Sequence, residues 1–82
     1  MERPMDLILY TTLGCHLCDR AKDVIWPVLQ QYPYRLKEVD IADDEGLVER
    51  YGVRIPVVSR EDLAEDLGWP FDAEKLEWYL SK

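Results

Sequence analysis

The chain is short of several things, and each shortage excludes a class of protein. No apolar run in its 82 residues approaches the ~20 that a bilayer-spanning helix needs. No Lys/Arg cluster occurs either: 17 acidic against 10 basic side chains leave a formal charge of −7. The acid is concentrated, since residues 1–37 hold five basic and four acidic groups (net +1) and residues 38–82 hold five and thirteen (net −8). Binding to a phosphate backbone needs a basic footprint, so nucleic acid is not an expected partner. Histidine occurs once and cysteine twice, whereas a small secreted scaffold spreads an even set of about four to eight cysteines along its length. The first ten residues carry Arg3 but no apolar stretch of signal-peptide length and no cleavage site. Repeats, low-complexity stretches and linkers are missing as well. The expectation is one domain over residues 1–82, soluble, cytoplasmic and monomeric, with no membrane contact.

What the chain does have is enough apolar residue to build a core, at 48%, in segments of alternating type. Leu7-Ile8-Leu9-Tyr10 is short and apolar on both faces, as a strand inside a sheet requires. Leu17, Ala21, Val24, Ile25, Val28 and Tyr32 follow one face of a helix, with Pro27 predicting a kink or restart because its ring removes a hydrogen bond to Asp23. Tyr34 to Ile41 mixes β-formers with charge and reads as a strand near an edge. Asp43 or Asp44 can cap a short helix that turns Leu47, Val48 and Tyr51 inward, and Gly52 suits a left-handed residue after it. Val53 to Val58 predicts a strand in which Pro56 must stand at the start or end of the pairing. Asp62 to Leu67 is a weak edge-strand candidate. Asp72 caps a last helix with Leu76, Tyr79 and Leu80 inward, and Phe71 is placed to staple onto Leu76. The order β-α-β-α-β-β-α predicts an α/β sandwich around one sheet. Its first three strands are expected to be parallel except where a longer connection reverses one.

Cys15 and Cys18 are three residues apart. A bridge between them closes a four-residue loop and stabilises the fold by only about 2 kcal/mol, so the pair points to chemistry rather than reinforcement. Cys15 opens the helix, where unpaired N–H groups and the macrodipole favour a thiolate. Lowering a thiol pKa from ~8.5 towards ~7 corresponds to about 2 kcal/mol. Cys18, one turn on and facing inward, keeps a higher pKa. One attacking and one resolving thiol result. His16 is a candidate for tuning the Cys15 pKa. Arg20 and Lys22 read as solvated charges, and Trp26, Trp69 and Trp78 as packing.

The Cys-x-x-Cys at a strand-to-helix junction, with Tyr51-Gly52-Val53-Arg54-Ile55-Pro56-Val57-Val58 some forty residues later, resembles the thioredoxin superfamily. The size points to its glutaredoxin branch. Gly14-Cys15-His16-Leu17-Cys18-Asp19 and Trp69-Pro70-Phe71-Asp72 are most similar to the short bacterial glutaredoxin-like family, over Leu7 to Leu80. The resemblance implies a thioredoxin-like four-stranded mixed sheet with three helices. It also implies a cis Pro56 facing the cysteines, with Ile55 offering its backbone N–H and C=O to a substrate strand. Arg54, just before that pair, is a candidate for meeting acidic substrate groups. Two features depart from glutaredoxins. Thr12 stands where they carry a lysine for glutathione, and their Gly-Gly followed by Asp has no match in Ser59-Arg60-Glu61-Asp62 or Leu67-Gly68-Trp69.

The function these residues imply is thiol–disulfide oxidoreduction, with Cys15 and Cys18 catalytic and Ile55, Pro56 and Arg54 binding substrate. The substrate is a disulfide-bearing protein or small thiol. No bound cofactor is expected, and glutathione or a reductase protein is the candidate reductant. The alternative is a non-catalytic thioredoxin-fold module binding a metal, an iron–sulfur cluster or a partner protein. Zinc wants four ligands and one chain offers two Cys and an adjacent His, so a metal would need Cys15 from each of two protomers.

Overall fold

Strand alternation and helix phase together sort the apolar side chains onto two faces of one sheet. The computed structural model describes residues 5–82; Met1–Pro4, part of the segment read as lacking a signal peptide, lie outside the described residues. The elements are β1 (Met5–Thr11), α1 (His16–Leu29), β2 (Tyr34–Asp40), a 3-10 turn (Ile41–Asp43), α2 (Glu45–Tyr51), β3 (Val57–Arg60), β4 (Asp66–Gly68) and α3 (Ala73–Leu80). The sheet order is β2-β1-β3-β4. β1 and β2 are parallel, while β1–β3 and β3–β4 are antiparallel. This is the four-stranded mixed sheet with three helices of the thioredoxin-like fold.

β1 is central, which explains its doubly apolar sequence. Leu7 and Leu9 are buried with Ala21, Ile25 and Val28 of α1, Leu76, Tyr79 and Leu80 of α3, and Val58 of β3. Tyr10, one residue out of phase with Leu9, joins Ile41, Tyr51 and Val57 in a second, smaller cluster beside α2. Phe71 and Leu76 are buried in the first cluster, and Asp72 accepts from Lys75 N–H at 2.8 Å, so cap and staple both fix the entry to α3.

Several expectations need correction. β3 runs antiparallel to β1, because α2 and the loop after it return the chain to the end of the sheet from which β1 leaves. β3 begins at Val57, directly after Pro56, and Val53 is fully exposed; a proline cannot donate to the ladder, so pairing starts beyond it. β4 begins at Asp66 rather than Asp62, since residues 61–63 are spent on a turn closed by Leu63 N–H to the Arg60 carbonyl (3.2 Å). α1 passes through Pro27 without restarting and ends at Leu29, so the forgone bond falls in the last turn. Leu17 is exposed and Cys18 takes the inward position. Val48 is half-exposed while Tyr51 is buried. Asp44 is the α2 cap, and Asp40 caps the 3-10 turn that the sequence did not announce. Gly52 is right-handed, at φ −49°; a Cβ there would collide with the Val48 carbonyl oxygen. Close approach is why glycine fits, not positive φ.

Arg60 ties the C-terminus to the sheet. Its side chain is buried, with Nη1 donating to the carbonyls of Tyr79 (3.0 Å), Leu80 (3.3 Å) and Lys82 (3.1 Å). Nε and Nη2 donate to Asp62. The guanidinium holds the Asp62 carboxyl below its ordinary range, chiefly through that hydrogen bond. Replacing Arg60 with Ala should cost about 2–3 kcal/mol in urea unfolding, because three carbonyls lose a charged donor. A carboxylate lowered on folding stabilises above its unfolded pKa and loses that contribution as pH falls below about 3.9. The stability gap between wild type and Asp62→Asn, measured by unfolding across pH, should therefore close on acidification and persist at pH 7.

Candidate active site

Cys15 is placed by a turn and a cap. β1 ends at Thr11 and the chain turns through Thr12–Cys15, where Cys15 N–H reaches the Thr12 carbonyl (3.4 Å) and Gly14 takes φ +77°. A positive φ at that third position is what glycine tolerates. Cys15 is then the N-cap of α1, in extended conformation at φ −83°, ψ 101°. Its Sγ accepts from the backbone N–H of Cys18 at 3.2 Å, occupying the role of a serine or aspartate cap. Cys15 and Cys18 form a disulfide, with Cα atoms 5.2 Å apart. Cys15 is half-buried and Cys18 only 2% exposed. One sulfur faces the surface and the other the core.

His16 is exposed at the first position of α1; the donor on Cys15 Sγ is the Cys18 N–H. Leu13 (92% exposed), Leu17 (44%) and Val53 (102%) are apolar side chains open to solvent on either side of the cysteine and proline segments in sequence.

The antiparallel register sets Tyr10 opposite Val57. The next residues of β1 and the residues before β3 thus meet at one end of the sheet, bringing the Thr12–Cys15 turn and Ile55–Pro56 together. Pro56 is buried, and the Ile55–Pro56 and Trp69–Pro70 bonds are both cis. Ile55 N–H donates to the Tyr51 carbonyl (3.0 Å), so this donor, read from the sequence as offered to a substrate strand, is occupied within the chain. The Pro56 carbonyl accepts from Trp69 N–H at 3.0 Å. Trp69 packs edge-on against Phe71 at 5.1 Å, while Trp26 and Trp78 are half-exposed.

Arg54 does not stand free beside Pro56. Its two terminal nitrogens fork onto Asp66 of β4 at 2.5 and 3.3 Å, and the guanidinium lies 5.9 Å from the Tyr51 ring centre. Tyr51 in turn stacks on Tyr10 at 4.2 Å. Burial, then the neighbouring Tyr51, pushes the Tyr10 phenol up. Sequence reasoning misses Asp66 and Tyr10 as site-framing residues, which only the pairing of β1, β3 and β4 brings here, and it marks Tyr51 as an inward residue of α2 without showing its stack on Tyr10.

On the other face of the sheet, an open groove of about 380 Å³ is lined by Thr12, Cys15, Asp19, Lys22, Glu38 and Asp40 among others. Asp19 and Lys22 come from the first turns of α1, and Glu38 and Asp40 alternate along β2. Lys22 and Glu38 pair at 2.6 Å, and that hydrogen bond is the main reason the Lys22 pKa is raised. Among the described residues, no group of three or more His, Cys, Asp and Glu side chains is arranged to hold a metal ion, and no helix is long and apolar enough to cross a membrane.

Replacing Arg54 with Ala should lower global stability by less than about 1 kcal/mol, as the pair is partly exposed. The loop should loosen locally. Amide exchange at Ile55 is expected to accelerate roughly tenfold while the β1 amides do not change.

A family model described as glutaredoxin-like domain (DUF836) matches residues 6–81. Among solved structures, a structural-genomics target from X. campestris is 36% identical, with TM-score 0.79, covering 92% of this chain and 95% of that one. A protein from Nitrosomonas europaea at 23% identity (TM-score 0.81, covering 98% and 95%) and a mutant thioredoxin from Halobacterium salinarum at 17% (TM-score 0.70, covering 96% and 74%) share the fold. No protein of curated function matches the chain. With nearly the whole sequence inside that family model, the chain belongs to the glutaredoxin-like domain family of the thioredoxin fold.

Proposed function

We propose that the protein is a thiol–disulfide oxidoreductase acting on protein or small-thiol disulfides. The observation that carries this reading is the asymmetry of the cysteine pair. Cys15 is half-buried at the N-cap of α1 with Cys18 N–H on its sulfur, while Cys18 is 2% exposed. In the reduced protein the same N–H and the helix N-terminus stabilise a Cys15 thiolate.

The thiolate attacks one sulfur of a substrate disulfide; that bond breaks, and the departing sulfur leaves as a thiolate that takes a proton from water. Cys18 then gives up its proton to water, its thiolate attacks Cys15 Sγ and breaks the mixed disulfide, and the second substrate sulfur leaves as a thiolate that is protonated in turn. Two electrons pass from the dithiol to the substrate, and the protein ends in the disulfide form. The pair carries the electrons without a bound cofactor. Glutathione or a reductase protein restores the dithiol. Ile55 and Pro56 flank the approach, and Arg54 positions them through Asp66. The proposal includes action as a monomer in the cytoplasm.

Cys15→Ser should abolish dithiol-dependent reduction of a small disulfide; retained turnover in that variant would sink the assignment. Cys18→Ser should keep attack but lose resolution, and mass spectrometry should find a mixed disulfide on Cys15. No such adduct would leave Cys18 without its role. Stoichiometric metal or visible absorbance in the purified protein would favour the non-catalytic binding module.

A further inference from the structure

The groove beside Cys15 carries an unbalanced charge that the reaction alone does not require. Lys22 is the cation lining it, and its ammonium is taken by Glu38 at 2.6 Å. Among the described residues neither Asp19 nor Asp40 has an ion-pair partner. Asp40 Oδ1 accepts from Ala42 N–H at 2.9 Å, which fixes the carboxylate without neutralising it. Two negative charges therefore outweigh the roughly half positive charge of the α1 N-terminus, which is aimed at the cysteine sulfur itself. Other cations lie elsewhere. Arg54 is matched by Asp66, and Arg50 sits 5.3 Å from the Tyr51 ring, which packs with Tyr10 in the cluster beside α2.

Resting on the oxidoreductase reading, we propose that this groove selects disulfides bearing a positive charge a few bonds from sulfur, and that Asp19 and Asp40 determine the selection. An ammonium or guanidinium arm of a disulfide engaged at Cys15 enters a space of about 380 Å³ that suits a single side-chain-sized group. A carboxylate arm there meets like charge. The exchange steps are those above, with the cationic disulfide as the electron acceptor and a neutral dithiol as the donor that restores Cys15 and Cys18. Two unpaired, partly exposed unit charges several ångströms from the arm make a preference of about tenfold at low ionic strength, weakening as salt shortens the screening length.

The test uses the full chain, reduced with dithiothreitol and desalted. Oxidation is followed with cystamine, a lysine-flanked cysteine-peptide disulfide, neutral hydroxyethyl disulfide and anionic dithiodiglycolate. Each rate is divided by that of free dithiothreitol with the same disulfide, so intrinsic reactivity cancels. Expected is a normalised preference for the cationic over the anionic disulfides of about tenfold at low ionic strength, shrinking in about 0.5 M salt. The double variant Asp19→Asn with Asp40→Asn keeps an amide oxygen at position 40 that can still accept from Ala42 N–H, and it should bring the ratio to about two. Glu74→Gln, which removes one charge from α3, should leave the ratio in place. Preference for cystamine alone would assign small thiols as the source of the cation, and preference for the peptide alone would assign protein substrates. Equal normalised rates across charge classes, or a preference that survives the double variant, overturns the proposal while leaving the oxidoreductase reading intact. Failure of the neutral disulfide to oxidise the pair overturns both.

Discussion

The backbone N–H of Cys18 has no partner within α1, because it lies in the first turn, and the site is organised around that fact. Something must satisfy it, and the side chain that does so is the sulfur of Cys15. The capping bond holds the half-buried Cys15 sulfur at the start of α1, while Cys18 faces the interior. In the proposed reaction, reactivity and structural need fall on the same atom. An oxygen cap would serve the helix equally well, so the fold alone does not call for cysteine here, whereas the proposed exchange chemistry does.

That junction is delivered by the sheet. β1 is paired along both edges, with β2 and β3, and buries Leu7 and Leu9 while Tyr10 and Thr11 at its end are half-buried. The register with β2 places Asp40 opposite Thr11, and the register with β3 places Val57 opposite Tyr10. Three strand ends meet beside one turn. On the α1 side they supply a groove with acidic walls. On the other they supply Ile55–Pro56, held by the Arg54–Asp66 fork and the Tyr10–Tyr51 stack. Leu13, Leu17 and Val53, which flank these segments in sequence, are apolar side chains open to solvent.

Local chemistry is readable from the sequence, and pairwise geometry is not. The run Leu7–Tyr10 suits a strand inside a sheet and forms the central one, and Asp72 with Phe71 marks a helix entry by a cap and a staple that act within five residues. The Cys-x-x-Cys declares itself because three residues are one helical turn. Sequence and structure part where the outcome depends on distant neighbours. Leu17 and Cys18 compete for one inward position, and the phase of α1 against β1 decides it. Gly52 suggests a special conformation when its role is close approach to the Val48 carbonyl. Arg54 looks available in one dimension, yet β4 brings Asp66 to it from twelve residues on. The groove has no local signature, because Asp19 and Asp40 meet only through the parallel pairing of β1 with β2.

The central claim is that Cys15 and Cys18 are a reversible two-electron couple. Equilibrating the purified chain in graded dithiothreitol buffers, then in glutathione buffers, and counting free thiols at each point tests it directly. The account predicts one reversible transition in which both thiols appear and vanish together, following the two-electron slope of about 29.6 mV per tenfold change in the equilibrium constant. A chain that stays oxidised or reduced throughout, or that titrates a single thiol, would contradict it.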